Sequence, residues 1–219
     1  MADTGYISPG TMANDTAVGT VAWTNPDNAK ASDDHYAYFY VGSGSITTNY
    51  LKATNFGFSI PAGATVDGIK VEIEKMAWFV DNDNHASDNI VSIVKADGSI
   101  GSTNKANPSQ WGDAADTYTE HGGATDKWGE TWTPTNINDS DFGVVISVDS
   151  DSLDSLGIIS YVDHIRIKVY YTVASATNMQ INISDTWKDV SAMKINIGDT
   201  WKDVTAVKQN IGDVWKTVF

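Results

Sequence analysis

Two segments of this chain alternate apolar and polar residues so strictly that only one backbone conformation suits them. In VDGIKVEIEKMAWFV (66–80), Ile69, Val71 and Ile73 alternate with Lys70, Glu72 and Glu74. In SYVDHIRIKVYYT (160–172), Ile165, Ile167, Val169 and Tyr171 alternate with His164, Arg166, Lys168 and Tyr170. A period of two puts one set of side chains on each face of a β-strand, so both segments predict strands with one face in a core and the other in water.

The rest of the first 172 residues fits the same architecture. FGVVISVDS (142–150) reads as a buried strand, and NIVSIVKADGSI (89–100) as two short strands around an Asp97-Gly98 turn. IPAGATVDG (60–68) interrupts the pattern with Pro and Gly. No stretch of ten or more residues keeps an apolar face at helical spacing. About eight strands with long polar connections predict an all-β chain, built as an antiparallel β-sandwich of jelly-roll type, with a closed barrel as the alternative.

The charge is unevenly placed. Of 14 Lys and Arg and 28 Asp and Glu, residues 172–219 hold five Lys and five Asp, which leaves nine basic against 23 acidic residues in the first part. Such a surface repels phosphate backbones, and there is no basic strip interleaved with aromatics, so no nucleic-acid partner is expected. With no Cys there is neither a disulfide framework nor a thiolate site. The N-terminus has no basic and apolar leader, and no segment approaches 18 apolar residues, so neither an export signal nor a membrane partner is expected.

The last 41 residues repeat themselves. NISDTWKDV (182–190), NIGDTWKDV (196–204) and NIGDVWKTV (210–218) place Trp187, Trp201 and Trp215 at a fixed period of 14 residues. Each unit reads as a hairpin: a strand ending in NI, a Gly-Asp-Thr turn (Ser-Asp-Thr in the first copy), and a strand beginning at Trp. The domain reading is therefore 1–172 as the acidic sandwich, 173–178 as a linker, and 179–219 as three 14-residue β-hairpin repeats. A module of about 40 residues without disulfide or metal needs more core than three Trp supply. The apolar set Ile183, Trp187, Val190, Ile197, Trp201, Val204, Ile211, Trp215 and Val218 is accordingly expected to mediate oligomerisation or attachment, with closure around a pseudo-threefold axis inside one chain as a variant.

The stretches NYLKATNFGFSIPAGATVDGIKVEIEK, TWTPTNINDSDFGVVISV and VDHIRIKVYYT resemble a β-sandwich domain of tailed-bacteriophage virion proteins, and MKINIGDTWKDVTAVKQNIGDVWKTV resembles a repeat that ends many phage structural proteins. The resemblance implies a non-enzymatic virion surface protein, of the capsid-decoration, head-fibre or tail-associated kind, that assembles as a homotrimer and contacts other virion proteins. It carries no catalytic residues.

Three further sets of residues are candidates. The loop WFVDNDNHASDNI (78–90) offers Asp81, Asp83 and Asp88 as hard oxygen ligands for calcium, although it fails the EF-hand pattern at Ala86 and Ser92. Asp149, Asp151 and Asp154 offer a second such set. Trp78, Trp128 and Trp132, set among Asn and Asp, are candidates for stacking on a host-surface glycan, which would make the chain a carbohydrate-binding adhesin. The four His are scattered, Glu72 and Glu74 read as solvated strand charges, and no hydrolase, phosphate-loop or zinc-protease motif occurs, so no catalysis is expected.

Overall fold

The computed structural model describes residues 1–79, 84–113, 115–153 and 157–173, and in the tail 180–183, 186–189, 194–197, 200–204, 208–211 and 214–217. The chain divides into two compact units, Met1–Val173 and Ala174–Phe219.

The first unit is a two-sheet antiparallel sandwich. Its strands are β1 (Ala2–Asp3), β2 (Thr11–Asp15), β3 (Ala37–Val41), β4 (Gly44–Thr47), β5 (Tyr50–Thr54), β6 (Thr65–Phe79), β7 (His85–Val94), β8 (Thr117–Gly123), β9 (Gly143–Ser152) and β10 (Ile158–Thr172). A 3-10 turn (Pro26–Ala29) and a one-turn helix, α1 (Pro134–Ile137), interrupt the connections. In the first sheet β10 is central: β6 lies along one edge, and β1 and β3 share the other. β8 then adds to β6. In the second sheet β9 is central, with β5 and β4 on one edge and β7 on the other, and β2 extends from β5.

The two alternating segments of the sequence are the paired centre of the first sheet. Ile69, Val71 and Ile73 of β6 stand opposite Val169, Ile167 and Ile165 of β10, and all six are buried. The facing layer comes from Leu51, Val91, Ile93, Val144, Ile146 and Val148 of the second sheet. β9 is apolar on both faces because its reverse face is covered too: Val145 packs with Tyr50 and Val94 under Val18, Ile90 and Ile100.

The period of two changes phase once in β10. The register shifts between Val162 and His164, so that Ile158, Ser160 and Val162 point inward before the bulge and Ile165, Ile167 and Val169 after it. The bulge residue is Asp163, and its carboxylate is thereby buried beside the sheet. The expected hairpin at Asp97-Gly98 has its turn, closed by Ser99 Oγ and N on Asp97 Oδ1, but its second strand shrinks to a single bridge, Val94 to Ile100.

The second unit holds three two-stranded hairpins: β11 (Gln180–Ile183) with β12 (Thr186–Asp189), β13 (Lys194–Ile197) with β14 (Thr200–Asp203), and β15 (Lys208–Ile211) with β16 (Val214–Thr217). Each copy has the same register and pairs Asn182, Asn196 or Asn210 with Trp187, Trp201 or Trp215. The second strand starts one residue before Trp, at Thr186, Thr200 and Val214, which shortens the expected three-residue turn by one. Ile183, Ile197 and Ile211 close the first strands, and Val204 follows β14 half-buried. Val190 and Val218 lie outside the described residues.

Candidate functional site

The outer face of the first sheet divides into three zones along β10. At the start of β10, Tyr40 of β3, Ile159 of β10 and Trp78 of β6 stand in one lateral row, since Ile159 pairs with both neighbours. Trp78 is 57% exposed and Tyr40 53%. The next row inward on the same face is Tyr38, Tyr161 and Met76, all half-buried. Tyr161 packs its ring against Tyr38 at 6.2 Å and edge-on against Tyr36 at 5.0 Å. The result is a flat aromatic strip whose outer Trp and Tyr are two strand spacings apart, or roughly 9–10 Å.

Glycine holds this strip in shape. Gly157 has φ +78°, and a Cβ there would meet Tyr40 carbon and oxygen at 2.6 and 2.7 Å and Val41 O at 2.5 Å. The Tyr40 ring therefore lies directly against backbone that only Gly makes thin enough.

Beyond the strip lies an acidic pocket. Carboxylate oxygens of Asp34, Asp116 and Asp163 all fall within 4.8 Å of one another. Burial, with the charges of Glu74 and Asp116 adding to it, pushes the Asp163 carboxyl up to about 6 against the pull of the Asp33 and Asp34 backbone N–H groups. Burial and the Asp116 charge also raise the Tyr36 phenol.

The third zone is a charge ladder. Glu72 binds Arg166 at 2.6 Å, Lys70 at 3.4 Å and the Tyr6 hydroxyl, and Lys70 also reaches Glu120 at 2.5 Å. The Arg166 guanidinium lies over the rings of Tyr118 (3.8 Å) and Tyr6 (4.3 Å). His164 has Tyr118 Oη 2.8 Å from Nδ1 and Ser8 Oγ 2.8 Å from Nε2, and burial beside Arg166 lowers its pKa. Every one of these groups is engaged with a neighbour, as befits a structural network.

The outer face of the second sheet carries an open groove of about 800 Å³. Its walls mix polar groups with Val18 and Ile46: Thr47 and Ser45 donate to Asp149 and Asp151 at 2.6 and 2.9 Å, and His85, Ser87 and Asn89 face them from β7. Among the described residues, no Phe, Tyr or Trp lines it.

The candidates named from sequence separate sharply. Trp78 is on the exposed strip, but Trp128 and Trp132 are 1% and 8% exposed, and their indole N–H groups donate to Ile69 O (3.0 Å) and Lys127 O (2.9 Å). They are core residues and cannot stack on a glycan. Asp88 is not a loop ligand either. It lies inside the sandwich on β7, bound to Lys75 Nζ, Trp111 Nε1 (2.9 Å) and Asn107 N (3.0 Å), with His121 Nε2 at 3.7 Å. Asp81, Asp83 and Asp154 lie outside the described residues, and Asp149 and Asp151 of β9 each accept from a hydroxyl of β4, Thr47 and Ser45. Tyr40 and the Asp34, Asp116, Asp163 group were missed. Tyr40 had one sequence signal, the alternation of Tyr38 and Tyr40 with Ala37, Phe39 and Val41, whereas the three Asp are far apart in the chain.

No protein-family model and no curated protein matches the chain. Solved structures that resemble it include the CBM22-1 xylan-binding domain of Paenibacillus barcinonensis Xyn10C (TM-score 0.35, 9% identity, 78% of this chain and 94% of that one). A CBM4 structure is similar at TM-score 0.33 and 12% identity, over 74% of this chain and 93% of that one. The VP2 subviral particle of infectious bursal disease virus is similar at TM-score 0.30 and 9% identity, over 73% of this chain and 39% of that one. At this level the likeness concerns the two-sheet β-sandwich alone. Among the described residues, no helix is long and apolar enough to cross a membrane.

Proposed function

We propose that this chain is a non-enzymatic carbohydrate-binding protein, which holds a glycan on the outer face of its first sheet and uses its repeated tail for attachment and oligomerisation. The observation that carries the reading is the row Tyr40, Ile159, Trp78: an exposed indole and an exposed phenol flank an aliphatic side chain on a flat sheet. The C–H face of a pyranose packs on such rings, and the indole N–H and phenol O–H can meet its hydroxyls. An exposed apolar strip on an otherwise acidic surface is otherwise an association liability.

The test is fluorescence titration of the full chain with a panel of soluble polysaccharides, repeated on Trp78→Ala and on Asp151→Ala in the groove of the second sheet. Binding lost in Trp78→Ala and kept in Asp151→Ala supports the strip. The opposite pattern moves the site to the groove, and silence across the panel removes glycan binding.

A second reading, display on a virion surface, is favoured by the separate tail with its three hairpins of identical register. In that setting the tail attaches the sandwich to other virion proteins or joins three chains, and trimerisation multiplies weak sugar sites into avidity of about 10²- to 10⁴-fold. Light scattering of the full chain beside a chain ending at Val173 tests it. A trimer that becomes a monomer on truncation supports assembly through the tail, and two monomers remove the trimer.

A further inference from the structure

We infer that Asp34, Asp116 and Asp163 form a calcium-class cation site at the bulge of β10, independently of whether the aromatic strip binds sugar. Their mutual distances are right for one ion. Oxygens that all lie within 4.8 Å of each other can touch a common cation at roughly 2.3–2.6 Å, the calcium–oxygen distance, and carboxylate oxygens held by irregular connections suit calcium's flexible coordination.

The second observation is what the protein leaves undone there. The Asp163 side chain is 1% exposed, and its Oδ1 has no hydrogen-bond partner. Asp116 Oδ2 and, beside them, Glu74 Oε2 are also buried without a partner. A buried acceptor left unmatched costs stability, more so when charged, so native proteins satisfy such atoms. The unmatched atoms are carboxylate oxygens that a cation can satisfy; the other contacts of these carboxylates are the Asp33 and Asp34 N–H groups at Asp163, Tyr36 at Asp116 and Tyr118 at Glu74.

The described residues supply no cation of their own. Among the described residues no ion pair involves Asp34, Asp116, Asp163 or Glu74. The nearby bases are committed elsewhere: Arg166 and Lys70 to Glu72, and Lys30 to Asp27 at 2.7 Å. Burial, with the charges of Glu74 and Asp116 adding to it, raises the Asp163 carboxyl in the same place. The three ligands come from the loop before β3, the segment before β8, and the centre of β10, so an ion there fastens two connections to the sheet. Tyr36, two residues from Asp34, packs on Tyr161, which ties the site to the inner row of the aromatic strip.

The experiment is calorimetry on the full chain stripped with EDTA: isothermal titration with CaCl₂ and with MgCl₂, and scanning calorimetry in each ion and in EDTA, for the parent chain and Asp163→Asn. One saturable calcium site is expected, raising Tm by about 5–10 °C at a hundredfold excess over Kd. Asp163→Asn should lose that rise and, because it removes a buried like charge, should melt higher than the parent in EDTA. That crossing of the two melting orders is a signature a merely damaged fold cannot give. Exposed Asp34→Asn repeats the test if Asp163→Asn fails to fold. Absence of a calcium response, or a full response retained in both variants, overturns the site; equal stabilisation by magnesium overturns the calcium assignment.

Discussion

Replacing Lys75 by Met should be among the most damaging single changes in the sandwich, although it makes a core position more apolar. Lys75 follows Ile69, Val71 and Ile73 on the inward face of β6, and its ammonium group meets Asp88 between the sheets, with the two side chains 4% and 0% exposed. Burial pushes the Lys75 pKa down, and Asp88 pulls it back. Removing the ammonium leaves Asp88 with Trp111 Nε1 and Asn107 N as donors and, for counter-charge, only His121 at 3.7 Å, whose charged form burial disfavours. Stranding one member of a buried pair costs about 3–5 kcal/mol. The Trp111 ring, 4.8 Å from Lys75 Nζ, loses its cation as well. At about 2–4 °C per kcal/mol for a domain of this size, Tm should fall by about 6–20 °C. Removing both charges in Lys75→Met/Asp88→Asn should recover part of the loss, with a coupling of about 2 kcal/mol or more in a double-mutant cycle read by urea denaturation and scanning calorimetry. A Lys75→Met loss below about 1 kcal/mol, or strictly additive single changes, would refute the reasoning that this charge pair is desolvated and mutually required.

Other perturbations have distinct signatures. Trp78→Ala should leave the urea midpoint nearly unchanged, within about 0.5 kcal/mol, because its ring is exposed, while abolishing glycan-dependent fluorescence change. Gly157→Ala should cost about 1–3 kcal/mol, since it forces φ +78° on a side chain and drives a Cβ into Tyr40 and Val41 O; thermal melting measures the loss, and the sugar titration should weaken with it. His121 and His164 have pKa values lowered from 6.5, chiefly by burial. Their neutral forms are favoured by folding, so their contribution is full above about pH 6.5 and is lost as pH falls through the lowered values. His121 faces Asp88, Lys75 and the Lys105 carbonyl, and His164 faces Arg166, Glu74, Asp33, Tyr118 and Ser8; His121→Gln should flatten the acid limb of a Tm–pH curve.

The core of the first sheet was legible because period-two alternation in β6 and β10 is a local signal of a global arrangement. The bulge at Asp163 was not, because an extra residue in one strand is defined only against its partner. The same reason hid the buried pair. In sequence Asp88 belongs to an acidic run with Asp81 and Asp83, and only the bulge between Asp88 and Ile90 and the facing Lys75 set it inside the sandwich. Trp128 and Trp132 are stacking candidates in sequence because they sit among Lys, Gly, Glu and Thr; their connection folds back so that each indole N–H reaches a carbonyl, and for Trp128 that is Ile69 O of β6. Trp78 was named from its type, whereas its partners Tyr40 and Ile159 depend on register across three strands. Asp34, Asp116 and Asp163 carry no spacing pattern at all.

The pairing of β10 has a mechanical consequence. The aromatic row crosses β10 at Ile159, and the chain leaves the sandwich for its tail at the other end, after Thr172, about 43 Å away along an extended strand. A ligand held at the row and a tail held elsewhere would therefore pull along the strand axis. β10 is bonded to β6 from Ile158 to Thr172, and to β3 and β1 on its other edge, so tension loads these ladders in shear, with many hydrogen bonds strained together instead of opening one after another. If the tail attaches as proposed, the strand that organises the first sheet is also the one that carries the load.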